Sequence, residues 1–246
     1  MSIKILFSPS EGKNKPQNTT KTSHNALSHI LDSKAVREYV TFLQTASERD
    51  ISAIFGSKIL DMHDLALSQN LPTSPRVEAI KLYSGVGYKA LDFESLDSKA
   101  QSYVCENLYI FSNLFGAVRA DEPLPYYNLH QGKGVGAFSL KNLYKDLKAK
   151  IDKILCGEEV LDLRAEAYIK AYKCECARQY YQIVFLKNGK KVSHYAKFYR
   201  GLYARSLAQK NIKSLENLEN LRFDFINLSD VVITQNATIL TYEIIS

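Results

Sequence analysis

The stretch YYQIVFLKNGKKVSHY, residues 180–195, constrains the fold more than any other part of the chain. Apolar residues alternate through it, and Asn188-Gly189 interrupts them with the dipeptide best suited to the left-handed backbone of a two-residue hairpin turn. A hairpin enforces antiparallel pairing, so the sheet it joins cannot be wholly parallel. Other strand-type runs are SIKILF near the start, Leu108 to Phe111, a run ending near Leu163, and the β-prone tail VVITQNATILTYEII. Between them lie stretches of helical period. SHNALSHILDSKAVREYVTFLQTASERDISAIFG carries serines and Asp50 at capping positions, and SLKNLYKDLKAKIDKIL places Leu140, Leu143, Leu147, Ile151 and Ile154 on one face. Helices interspersed with short strands predict an α+β or mixed α/β fold, α+β being preferred, with a curved mixed β-sheet wrapped by helices. No linker divides it, so residues 1–246 are expected to form a single compact domain.

With 246 residues and 46% hydrophobic content, the chain can bury a core without covalent staples. No segment approaches the roughly 18 apolar residues of a membrane span, and the opening apolar stretch is too short for a signal peptide, so a cytoplasmic protein without a membrane partner is expected. Cys105, Cys156, Cys174 and Cys176 do not form a disulfide framework of the small secreted type and are expected to be reduced thiols. The one-residue spacing of Cys174 and Cys176 fits neither a zinc half-site nor a redox pair, so no metal or cofactor is expected.

Charge is unevenly spread. From Ala177 to Leu215 there is no acid, while Arg178, Lys187, Lys190, Lys191, Lys197, Arg200, Arg205, Lys210 and Lys213 give +9; with a total of +6, the remainder is −3. A concentrated basic segment on a near-neutral body points to an anionic partner. A helix from Lys197, turning ~100° per residue, puts Lys197, Arg200, Gly201, Ala204 and Ala208 on one face and Tyr199, Phe198 and Leu202 on the other. The second set is expected in the core, leaving cations on a floor of small residues. Gly201 costs a helix ~1 kcal/mol relative to alanine, so it implies a close approach at that face, by a ligand phosphate or by a second helix.

Two glycine-bearing loops offer further anion contacts. KLYSGVGYKAL, residues 81–91, resembles the hairpin of helix-hairpin-helix DNA-binding elements, with Gly85-Val86-Gly87 as the turn, although Leu91 stands where that pattern has alanine. SPSEGK, residues 8–13, follows the first strand, where α/β proteins bind ligands, and offers Ser8, Ser10, Glu11 and Lys13 without the spacing of a nucleotide P-loop. Arg164, Glu166 and Tyr168 follow another strand end, either as a site rim or as an internal Arg–Glu pair. No complete catalytic constellation is present. His194, Glu166 and Glu11 are the candidates for acid–base work.

Taken in order, SPSEGK, YSGVGYKAL, FSNLFGAVR ending in Arg119, LDLRAEAY and SHYAKFYRGLYAR resemble the YaaA family of bacterial peroxide-stress proteins. The resemblance implies a positively charged cleft, DNA binding through a helix-hairpin-helix-like element, and a role in limiting free intracellular iron and Fenton damage. It carries over Lys197, Arg200, Gly201 and Arg205 as cleft residues, Tyr83, Ser84, Gly85 and Tyr88 as the hairpin region, and Arg119, Arg164 and Tyr168 as further contacts. It departs at Asn128 and His130, where many relatives carry Arg and Glu, so chemistry resting on that pair is not carried over.

Two functions remain open. One is a non-catalytic, monomeric stress-response protein that binds duplex or bubble-containing DNA through phosphate contacts, largely independently of sequence. The other is an enzyme acting on a small phosphorylated or nucleotide-like substrate held by the same cations. An enclosed pocket of a few hundred Å3 favours the second, and an open groove the first.

Overall fold

The computed structural model describes residues 3–16, 31, 33–130, 139–192, 194–216 and 218–245. The hairpin forms as expected: β7 (Gln179–Lys187) and β8 (Lys190–Lys191) pair antiparallel, with Asn188 and Gly189 at φ 52° and 71°. β7 belongs to a larger sheet with β1 (Ile3–Phe7), β3 (Leu108–Ser112), β4 (Gly116–Arg119), β6 (Glu159–Asp162), β9 (Ile226–Ile233) and β10 (Thr238–Ile244). The eight strands run in the order β4-β3-β1-β6-β7-β10-β9, with β8 on the edge of β7. β2 (Arg76–Glu78) and β5 (Pro123–Pro125) form a separate antiparallel pair.

The sheet is mostly parallel. β1 is parallel to β3 and β6, β6 to β7, and β7 to β10, while β4, β8 and β9 pair antiparallel. The class is therefore mixed α/β, the second of the two expected readings, rather than the preferred α+β. The cause is visible in β1, whose side chains feed both faces: Ile3, Ile5 and Phe7 join the larger core and Leu6 the smaller one. A strand covered by helices on both faces reads as a continuous apolar run, the mark of a buried parallel strand.

One face is covered by α1 (Lys34–Thr45), α2 (Glu48–Phe55), α3 (Met62–Gln69), α4 (Ala79–Leu82), α5 (Val86–Leu91), α6 (Ser98–Asn107) and α9 (His194–Lys210). The other is covered by α7 (Leu140–Leu155) and α8 (Glu166–Ala171). Ser33 and Ser47 cap α1 and α2 with their hydroxyls, as expected, and Ser139 caps α7 in the same way. Asp50 is not a cap. It lies inside α2, where Ser47 Oγ accepts from its backbone N–H.

The thiol expectation is also corrected. Cys156, which follows α7, is bridged to Cys176, whereas Cys105 and Cys174 are unbridged. The hydrogen bonds Gly157 N–H to Cys176 C=O and Arg178 N–H to Glu158 C=O, both 2.9 Å, bring together two cysteines whose separation of 20 residues gives no local signal.

β1 lies between β3 and β6, so the chain leaves β1 to one side and later returns to its other side. This is a topological switch point, where the loops after parallel strands diverge and leave a crevice. Its walls are the loop after β1 and the turn after β6.

Candidate anion-binding cleft

A cleft of about 230 Å3 opens at that point, lined by Phe7, Ser8, Pro9, Ser10, Glu11, Gly85, Val86, Gly87, Tyr88, Ala165, Lys197 and Arg200. Its walls are tied together by hydrogen bonds. Ala165 N–H donates to Ser8 Oγ at 2.7 Å, Tyr88 OH donates to the Ser8 carbonyl at 2.9 Å, and Ser84 N–H donates to the Gly12 carbonyl at 2.9 Å. Ser10 Oγ also donates to the Ser84 carbonyl. The structure thus brings Ser8, Ser10, Glu11, Ser84, Gly85, Tyr88, Lys197 and Arg200 together from three distant stretches of sequence.

α9 supplies the cations. Lys197 is exposed on the cleft and makes no ion pair among the described residues. Arg200 is half-buried, and its Nε is shut off from solvent with no hydrogen-bond partner among the described residues. Burial holds the Arg200 pKa below the ordinary guanidinium value, and the charge opposing that shift, Asp162, is already bonded to Arg164. A second buried group without a partner among the described residues is the Tyr168 hydroxyl. Burial raises its pKa well above the ordinary phenol value. Buried donors without acceptors are costly unless a ligand or water completes them.

Behind the loop after β1, Lys13 Nζ lies over the Tyr127 ring at 4.4 Å and the Tyr83 ring at 5.9 Å. Burial lowers the Lys13 pKa to about 8. Tyr83 OH and Ser112 Oγ are each 2.9 Å from Tyr127 OH, which donates to Asn113 Oδ1 at 2.6 Å. Burial raises the Tyr83 hydroxyl to about 12, so it stays protonated at neutral pH. Tyr83 is therefore part of this buried support rather than a ligand contact.

Several expected contacts lie elsewhere. Gly201 is buried under α5: a side chain there would strike the Gly87 carbonyl oxygen, and its Cβ would stand 2.9 Å from Ala90 Cβ. The close approach foreseen at Gly201 is thus made by a helix, and Ala204 and Ala208 are buried on the same side while Phe198 is exposed. Of the set expected in the core, Tyr199 packs against it, Leu202 is half-buried and Phe198 faces solvent. Arg205 donates through Nη1 to the Leu91 and Asp92 carbonyls, both at 2.8 Å, and so caps the end of α5. Arg164 is completely buried and forks onto Asp162, with Nε 2.9 Å from Oδ1 and Nη2 2.5 Å from Oδ2. The internal pair is therefore Arg164–Asp162. Glu166 is exposed and pairs with Lys170 at 2.6 Å, which holds its carboxyl below the usual range and weakens it as a base.

Arg119 lies on a separate groove of about 740 Å3 between β4 and α7, bonded to Asp121 at 2.5 Å. Glu122, Lys150 and Lys153 share that groove, so it presents no single sign of charge. The Gly85-Val86-Gly87 turn does not form as a unit: Gly85 takes φ 148° against Ser10, and Gly87 lies within α5 facing the Lys197 carbonyl. The side chain of His194 lies outside the described residues.

The model of the family described as peroxide stress protein YaaA matches residues 3–229. The chain belongs to that family. An uncharacterized protein of Campylobacter jejuni is 41% identical to it over 223 residues, covering 88% of this chain and 89% of the relative. A UPF0246 protein of Streptomyces coelicolor is 31% identical over 216 residues, 82% of each chain, and one of Fusobacterium nucleatum is 26% identical over 243 residues. Within the family frame, Asn128 and His130 stand away from the cleft. Asn128 Nδ2 donates to Asp64 Oδ2 at 3.3 Å, and Lys15 Nζ, 2.6 Å from Asp64 Oδ1, supplies a cation there. His130 N–H bonds the Ile54 carbonyl at 2.8 Å.

Sequence reasoning missed the apolar lining from Phe7, Pro9, Val86 and Ala165, and it missed Asp162. The position of SPSEGK after a strand was the signal that located the cleft.

Proposed function

We propose that this member of the peroxide-stress family binds a small anionic ligand, a phosphate-bearing group of about nucleotide size, at the switch-point cleft. The observation that carries the reading is Arg200: a guanidinium half-buried beside the cleft, with Nε unpartnered and Asp162 already taken by Arg164. An anion there would complete Arg200 with charge-assisted bonds, with Lys197 as a second cation at the rim. The apolar walls from Phe7, Val86 and Tyr88 suit the ring of such a ligand, and a space of about 230 Å3 suits one nucleotide-sized group rather than a duplex.

Inorganic phosphate and adenosine monophosphate, titrated calorimetrically, are expected to bind the wild type. Arg200→Met should weaken binding by about tenfold or more, the worth of one charge-assisted bond. Equal binding by the variant overturns the reading.

A second reading, nucleic acid lying across the cleft, is favoured by the lysine-bearing hairpin. Lys190 and Lys191 are exposed at its tip, Lys187 lies 4.8 Å over the Tyr195 ring at the start of α9, and the Lys191 charge acts on Glu166 beside the cleft. Binding of an oligonucleotide in this mode would fall steeply with salt, whereas a single phosphate group would show a shallow dependence. In either mode the ligand is the link to peroxide defence, and to the limiting of free iron that the family resemblance implies.

A further inference from the structure

The Cys156–Cys176 bridge closes a loop of chain whose contents are the cleft wall. Between the two cysteines run β6, the buried Asp162–Arg164 pair, Ala165 on the cleft and α8 with Tyr168. β6 is held on both sides by β1 and β7. α8 has no such support. It spans six residues, its N-cap is Ala165 with no side-chain cap, and its far end is held by Arg164 Nη1 and Nη2 bonds to the Tyr168 and Tyr172 carbonyls at 3.3 and 3.1 Å, by the Tyr172 OH bond to Asp152 Oδ1 at 2.7 Å, and by burial of Tyr168 and Tyr172 in the smaller core. A helix this short has little stability of its own and depends on what fixes its ends.

The cysteines are placed for reversible chemistry. Cys156 is exposed and Cys176 half-buried, so neither residue is sealed in the core. Backbone bonds on either side, Gly157 to Cys176 and Arg178 to Glu158, together with the 2.7 Å Arg178–Glu159 ion pair, set the two cysteine-bearing segments side by side. Cys174, the neighbouring thiol, is half-buried and unbridged, and burial raises its pKa.

We propose that Cys156 and Cys176 are a peroxide-operated clamp on the cleft, joined in the tight-binding form and separate in the loose one. This rests on the reading of the cleft as an anion site. The oxidant is hydrogen peroxide or an organic hydroperoxide. One cysteine thiolate attacks a peroxide oxygen, breaking the O–O bond and giving a sulfenic acid with loss of hydroxide, which is protonated to water or, for an organic peroxide, loss of the alcohol. The second thiolate then attacks that sulfur, the S–S bond forms, and the sulfenic oxygen leaves as water. The two thiols lose two electrons, which reduce one peroxide; a dithiol reductant reverses the change. The joined form restrains α8, and with it Ala165 and Tyr168. The separate form lets α8 open locally and slackens the wall opposite Arg200.

The full chain is compared after reduction with dithiothreitol and after treatment with stoichiometric hydrogen peroxide, reagent removed in both cases. Peptide mapping should find the 156–176 link only in the second form. Exchange of the Tyr168, Ile169 and Tyr172 amides should be about tenfold slower in the joined form, and inorganic phosphate should bind it about tenfold more tightly. Cys176→Ser should stay in the loose state and ignore peroxide, while Cys174→Ser should behave as the wild type. Absence of the link after peroxide, a link through Cys174, or exchange rates equal in the two forms overturns the clamp. Different exchange with equal phosphate affinity removes its hold on the cleft and overturns the proposal as stated. If neither form binds phosphate, the anion reading fails, and the exchange comparison still decides whether the clamp exists.

Discussion

Gly201 and Gly87 meet where α9 crosses α5, each presenting backbone to backbone: a Cβ on Gly87 would stand 2.9 Å from the Lys197 carbonyl oxygen. Helix propensity alone says that Gly201→Ala should stabilise by ~1 kcal/mol, since alanine is the better helix former. The contact says the opposite, because the obstacle is backbone and cannot swing aside. Chemical denaturation of Gly201→Ala is expected to show a loss of about 1–3 kcal/mol, the usual cost of overpacking. Lys13 gives a second residue-scale test. Burial lowers its pKa from 10.5 to about 8. Above 8 the folded amine is neutral while the unfolded one stays protonated up to its ordinary pKa, so the unfolded state binds more protons and stability rises with pH across that window. Below 8 both states are protonated and the destabilisation is constant. In Lys13→Met the rise between pH 8 and 10.5 should disappear, as read from urea unfolding at several pH values.

At the scale of elements, the turn from β6 into α8 is built on Arg164, stacked 4.2 Å over Phe111 and forked onto Asp162. Removing one member strands the other charge in the core, so Arg164→Leu is expected to cost about 3–5 kcal/mol in denaturation midpoint analysis. The strand VLDL and the following helix were legible in the sequence, as was an arginine pair. The choice of acid was not: Asp162 and Glu166 each stand two residues from Arg164, but the turn after Asp162 points that carboxylate at the guanidinium and sends Glu166 to solvent. The β7–β8 hairpin was fully legible, because Asn188-Gly189 sets its own turn. If oligonucleotides lie on it, Lys190→Gln with Lys191→Gln should reduce the slope of log affinity against log salt by roughly 0.7–0.9 per lysine that contacts a phosphate, as measured by fluorescence anisotropy.

Across the whole molecule, the cleft exists because β1 is central and the chain crosses to both of its sides. A ligand bound only by the folded state stabilises it by mass action, about 2.7 kcal/mol at a hundredfold excess over Kd. Phosphate or adenosine monophosphate should therefore raise the unfolding midpoint of the wild type, and raise that of Arg200→Met by about half as much or less at the same ligand concentration. By itself the sequence determined the local units: the hairpin, the serine caps, the amphipathic α7, the polar loop after β1 and the acid-free supply of cations. These follow from backbone preference and periodicity within a few residues. Tertiary structure decided what those units touch. It turned β1 into the middle of a mostly parallel sheet, set Gly201 against a helix, took Arg164 and Arg205 for internal bonds, joined Cys156 to Cys176, and left Arg200 beside a cleft with Nε unpartnered. Pairing across long sequence separations depends on which surfaces meet in three dimensions, and charge or spacing along the chain does not encode which partner arrives first.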